Sequence, residues 1–147
     1  MCFARIAACC LLCVALSACA AQRRDADESV GGLTLESLAG RVYYLVSMDG
    51  RSFEGGNAPE LDFTREGRVA GRACNRFSGE AKLVNGTLTA KNAAITRMAC
   101  FQPFLNELEQ ILFDMLQNGV QIRMDGNRLT LARDGHALAY ALPSPKP

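Results

Sequence analysis

The reactive and polar side chains of this chain gather in residues 71–100, at the two ends of that stretch: Gly71-Arg72-Ala73-Cys74-Asn75-Arg76-Phe77-Ser78-Gly79 and Thr96-Arg97-Met98-Ala99-Cys100. Cys74 and Cys100 are the only cysteines beyond residue 19. In an oxidising compartment such a pair reads as one disulfide. It would close a loop of about 27 residues and contribute roughly 3.5 kcal/mol through chain entropy. Zinc is a poor alternative, because no neighbouring His or second Cys pair completes a four-ligand site. Asn75, Arg76, Ser78, Thr96 and Arg97 form the candidate binding set around the bridge. Together with Arg72, the arginines Arg76 and Arg97 suit bidentate capture of an anionic group. They equally suit solvated strand-edge charges that discourage edge pairing. Asn75 also has a structural reading, since Asn tolerates left-handed backbone and caps turns through its own side chain.

Catalytic chemistry finds little to work with. His136, the one histidine, follows Asp134-Gly135 and is expected on an exposed turn, with no third member for a triad. Glu107 and Glu109 are two apart on a predicted helix and point to different faces, a poor start for paired-carboxylate chemistry. Gly55-Gly56 lacks the Gly-Lys-Ser/Thr sequel of a phosphate loop. Cys74 and Cys100 lack the Cys-x-x-Cys spacing of oxidoreductases. The expectation is a non-enzymatic protein with no catalytic residues, no metal and no cofactor.

The first eighteen residues dilute the composition. Arg5 is the single early cation, an apolar run follows from Ile6 to Leu16, and Ser17-Ala18 precede Cys19. This is the layout of a secretory signal, too short for an ordinary transmembrane helix of about 20 apolar residues. Leu16-Ser17-Ala18-Cys19 resembles a bacterial lipobox, which implies cleavage before Cys19 and lipidation of its side chain. An ordinary signal peptide cut near 18–21 is the alternative. Acyl chains anchor a soluble domain firmly, since each buried CH₂ adds roughly 0.8 kcal/mol. Within that resemblance, Ala20 favours sorting to the outer membrane, facing the periplasm. Cys2, Cys9, Cys10 and Cys13 leave with the leader.

The whole chain carries 16 basic and 15 acidic side chains, and loss of Arg5 leaves 15 of each. A neutral domain has no phosphate-seeking field, so nucleic acid is not expected as a partner. Residues 19–37 open with Arg23-Arg24 and the acidic Asp25, Asp27 and Glu28, and read as a flexible tether.

The elements that must position the two blocks follow from periodicity. Residues 38–47 are rich in strand formers and end at Asp49-Gly50. Leu61 and Phe63 alternate with polar neighbours, as do Val69, Gly71 and Ala73. Phe77, Gly79, Ala81 and Leu83 continue the period of two to Asn85-Gly86, a strong two-residue hairpin signal. Residues 92–95 read as a connector. Phe104, Leu105, Leu108, Ile111, Leu112, Met115 and Leu116 recur at helical spacing, Pro103 suits the first helical position and Gly119 the stop. Three short strands follow over 120–124, 128–132 and 137–142. The predicted fold is α+β: an antiparallel, strongly curved sheet of about seven or eight strands packed on one amphipathic helix.

Gly71, Cys74-Asn75, Phe77 and Gly79, the run Thr96-Arg97-Met98-Ala99-Cys100, and the helical Glu109, Leu112, Phe113 and Leu116 together resemble the META domain, the HslJ-like group of small bacterial envelope proteins. The resemblance covers 38–142. It departs at Tyr43, where the family pattern has Trp, and at Ala73, where Gly is common. It implies a stress-related, lipid-anchored envelope protein without established catalytic residues, binding an unknown envelope protein or small ligand. The expected organisation is a signal peptide over 1–18, a tether over 19–37, the domain over 38–142 and a tail over 143–147. A second reading is a periplasmic inhibitor of a hydrolase such as lysozyme, with Arg76-Phe77-Ser78-Gly79 as its protruding tip.

Overall fold

The structure, a computed structural model, describes residues 32–144. The signal peptide, Cys19 and residues 145–147 lie outside the described residues. Among the described residues nine strands run β1 (Arg41–Met48), β2 (Arg51–Ser52), β3 (Glu60–Phe63), β4 (Arg68–Arg72), β5 (Arg76–Val84), β6 (Thr87–Ile95), β7 (Val120–Asp125), β8 (Arg128–Arg133) and β9 (His136–Ala141). A single turn, α1 (Leu35–Leu38), precedes them, and α2 (Pro103–Asn118) separates β6 from β7.

Turn chemistry sets the hairpins. Asp49-Gly50, Asn85-Gly86 and Asp134-Gly135 each place two successive residues at positive φ. Two-residue turns of that kind match the twist of the strands they join, and Asn, Asp and Gly tolerate the backbone they require. Every pairing is antiparallel, in the order β2-β1-β3-β4-β5-β6-β7-β8-β9.

Closure comes from β1. Along one edge it pairs first with β3, from Arg41↔Phe63 to Tyr44↔Glu60, and then with β2. Along the other edge it meets β9, from Tyr44↔Ala141 to Met48↔Leu138, with a register shift between Leu45 and Ser47. The sheet is therefore a closed barrel of eight strands with β2 appended, more specific than the curved sheet expected. Closure removes the free end strands that an open sheet must protect.

Three boundaries differ from expectation. Residues 92–95, read as a connector, complete β6; Asn92 takes φ 50° where the β5–β6 ladder shifts register beside Gly79. β2 was not expected, and a two-residue strand has no periodicity to read. The tether predicted over 19–37 overlaps α1. There Thr34 and Ser37 cap each other, each backbone N–H donating to the other's hydroxyl at 3.1 Å, and Leu38 is fully buried. This reciprocal cap uses Ser in place of the usual Glu or Gln, so its signal is weak.

One core fills the barrel. Tyr43, Leu45, Leu61, Phe63, Val69 and Phe77 enter from the first strands, Leu129, Leu131, Leu138 and Tyr140 from the last. Helix α2 adds Leu108, Leu112, Met115 and Leu116, each stabilising by roughly 1.5–3 kcal/mol on burial. β6 meets β7 only at Thr87↔Gln121 and Leu88↔Val120, and α2 packs against β6. At the end of α2, Arg133 donates to the carbonyls of Asn118 and Gly119 at 2.6 and 2.5 Å. That cation faces the negative end of the helix dipole.

Candidate functional site

Cys74 and Cys100 are joined, their Cα atoms 5.9 Å apart. The bridge ties the bend between β4 and β5 to the approach to α2. Asn75, next in sequence, is only 4% exposed. Its Oδ1 accepts from the Met98 N–H at 2.7 Å and from the Thr96 hydroxyl at 3.0 Å. Its backbone N–H donates to Glu109 Oε2 at 2.7 Å and its Nδ2 to Glu109 Oε1 at 3.0 Å. The expected left-handed conformation is absent, since Asn75 is not among the residues with positive φ. Its side chain instead joins three segments that would otherwise be separate.

This arrangement divides the candidate binding set. Thr96 is part of the same lattice, accepting from the Arg76 N–H at 3.0 Å while its own N–H donates to the Arg76 carbonyl at 3.0 Å. Ser78 accepts from Arg68 Nε at 3.1 Å. Arg72 pairs with Glu60 at 2.8 Å, so it is not available as the third member of an arginine clamp. Arg76 and Arg97 are exposed, and neither guanidinium has a carboxylate partner among the described residues. Arg76, Phe77, Ser78 and Gly79 belong to strand β5 rather than to a loop tip. Gly71 has a steric reason: a Cβ there would run into the Glu60 carbonyl and the Phe77 ring.

Glu109, outside the candidate binding set, is the residue that holds Asn75 from the helix. The expectation that Glu107 and Glu109 face different ways holds, and it carries the missing information: Glu107 reaches Arg51 at 2.7 Å, while Glu109 turns toward Asn75. Its place in the helical pattern beside Leu112 and Leu116 was the available signal.

Near the bridge two large apolar side chains face solvent. Phe101 is 92% exposed and Met98 64%. Phe101 also lines a groove of about 490 Å³, together with Phe53, Arg72, Gln102, Leu105 and the Cys74–Cys100 bridge. Phe53 packs on Phe104 at 5.7 Å between ring centres, and the Arg51 guanidinium sits over the Phe104 ring at 5.6 Å. Tyr43, at the family's Trp position, is fully buried against Phe63 and belongs to the core.

Other titratable groups lie elsewhere. His136 is half-exposed at the start of β9, its Nδ1 2.8 Å from Asp49 Oδ2. Asp49 Oδ1 accepts from the Ala137 N–H at 2.7 Å, and that bond, with the one to His136, holds its carboxyl below the usual range. No Ser, Thr or Cys side chain among the described residues bonds to His136. Burial, with Glu60 nearby, pushes Asp62 up. Among the described residues, no three His, Cys, Asp or Glu side chains converge as metal ligands, and no helix is long and apolar enough to cross a membrane.

The META domain model matches residues 36–144. The chain is 43% identical over 111 residues to heat shock protein HslJ of Escherichia coli strain K12, covering 75% of this chain and 79% of that protein. A relative whose structure was solved by NMR shares 43% identity, with a TM-score of 0.70 over 75% of this chain and 95% of its own. Another NMR structure, from Burkholderia xenovorans, has a TM-score of 0.57 over 76% of this chain and 87% of its own. At 21% identity that likeness speaks for the fold alone. The match across most of the described barrel, together with 43% identity to a relative covered over most of its length, places this chain in the META domain family.

Proposed function

We propose that this chain is a non-enzymatic, lipid-anchored envelope protein of the stress-response type, held to the outer membrane through Cys19 and docking a partner at the face framed by Cys74 and Cys100. The observation that carries the docking reading is Phe101, 92% exposed on a segment pinned by the bridge and by the Asn75 lattice. The bridge at Cys100 and the bond from the Met98 N–H to Asn75 tie down the backbone next to this ring, so less loop entropy is left to lose on binding. The stress setting rests on the name of the HslJ relative. Anchoring rests on the sequence at Leu16-Ser17-Ala18-Cys19.

Two experiments separate these parts. Palmitate labelling is expected in the intact chain and lost in Cys19→Ser; an unlabelled, soluble wild type removes the anchor. Phe101→Ser is expected to keep the melting temperature but fail to complement a deletion strain under heat stress, whereas Val84→Ser, at an exposed apolar position on β5, complements fully. Full complementation by Phe101→Ser removes the docking face.

A further inference from the structure

We propose that the trough on the outer face of β3, β4 and β5 binds a small zwitterion of the amino acid or short peptide class, its ammonium group at Asp62 and its carboxylate at Arg76. The trough has a volume of about 290 Å³, and Val42, Glu60, Asp62, Ala70, Arg72 and Arg76 line it. Leu61 and Phe63 turn into the core, so Asp62 between them faces outward. In register Asp62 stands opposite Ala70, and Ala70 opposite Ser78. The small side chain of Ala70 leaves room above the sheet that a longer residue would fill.

Charge in the trough is unevenly satisfied. Glu60 and Arg72 neutralise each other at 2.8 Å. Asp62 receives no hydrogen bond from another described residue, and no cation among them pairs with it. Burial and the neighbouring Glu60 push its carboxyl up, and no arginine pulls it back. Arg76, on the far side of the Glu60–Arg72 pair, has no carboxylate partner among the described residues. The half-buried carboxylate lacks a cation and the guanidinium lacks an anion, within one concavity. A simple anion would meet Asp62, and a simple cation would meet Arg76. A ligand carrying both charges suits both ends.

The span fits a short molecule. Two strand spacings and two residues separate the Cα atoms of Asp62 and Arg76, roughly 12 Å, which the long arginine side chain shortens. An extended dipeptide covers roughly 7 Å. Val42 supplies an apolar wall for a side chain. This trough shares Arg72 with the groove beside Phe101, but neither Asp62 nor Arg76 lines that groove, so the two proposals are tested separately.

Glycylglycine, N-acetylglycylglycine and glycylglycinamide separate the charges. Titrated into the full chain in detergent micelles and followed by backbone amide NMR shifts, glycylglycine is expected to bind saturably and to perturb Asp62, Ala70 and Arg76. Each blocked peptide is expected to bind about tenfold or more weakly, the worth of a lost charged hydrogen bond. Asp62→Asn should remove the preference over the N-acetyl form, and Arg76→Gln the preference over the amide. The wild-type ligand series needs no variant, so it stands even where a substitution perturbs folding. Absence of saturable binding at millimolar concentrations, shifts on another face, or equal binding of either blocked form overturns the site.

Discussion

Glu109 on α2 grips Asn75 at two points, its two carboxylate oxygens accepting from the backbone N–H at 2.7 Å and from Nδ2 at 3.0 Å. Helix α2 is thereby keyed to the bend beside the disulfide, while the same Asn75 holds the segment after β6 through Met98 and Thr96.

Glu109→Ala leaves the buried Asn75 backbone N–H without its acceptor and its Nδ2 with only the 3.4 Å bond to the Met98 carbonyl, and the expected loss is about 1–3 kcal/mol. Glu107→Ala breaks only an exposed pair with Arg51 and is expected to lose less than about 1 kcal/mol. Chemical denaturation of both variants reads the difference. Equal losses would refute the keying role.

The bridge spans 26 residues of sequence, so its loss is expected to destabilise by about 3.5 kcal/mol. Thiol counting on denatured, unreduced mature protein is expected to find Cys74 and Cys100 absent from the reactive pool. Bridge and lattice hold the same bend, so Cys74→Ser and Asn75→Ala should combine non-additively in a double-mutant cycle. Additivity would show that the two act independently.

Two aspartates predict opposite pH responses. Asp62 has a raised folded-state pKa, so the native chain keeps a proton that the unfolded chain has released, and stability falls as pH rises through that window. Asp62→Asn is therefore expected to stabilise at neutral pH and flatten this dependence. A residue that weakens the fold where a ligand would sit fits a binding role. Asp49 has a lowered folded-state pKa, so its contribution is present above the usual carboxylate range and fades as pH drops through the folded value. Asp49→Asn should lose stability at neutral pH. Melting temperatures across the acid range check both signs.

Gly71→Ala tests the crossing of β3, β4 and β5. The new methyl group meets the Glu60 carbonyl, which is backbone and cannot swing aside, and the Phe77 ring, which is in the core. A loss of about 1–3 kcal/mol is expected by thermal melting, with Gly67→Ala, at positive φ but in open space, as the contrast for backbone strain without a clash. An unchanged melting temperature in Gly71→Ala would sink this reading.

Local patterns determined the elements. The recurrence from Phe104 to Leu116 between Pro103 and Gly119 predicts α2 at its observed limits, and Asn85-Gly86 places the β5–β6 turn, because helix period and turn backbone are properties of neighbouring residues. Pairing across the chain was not legible. Whether β9 returns to β1 depends on how far eight strands twist and tilt, a sum over the whole sheet, so the sequence predicts curvature and only the tertiary structure decides closure. The same divide runs through the site. Two cysteines beyond residue 19 suffice to suggest the bridge, and the structure brings them together. That Asn75 and Thr96 spend their polar groups inside the fold, that Arg72 is taken by Glu60, and that Asp62 and Arg76 remain across one trough required the sheet register, since a side chain's partners come from strands and helices far away in sequence.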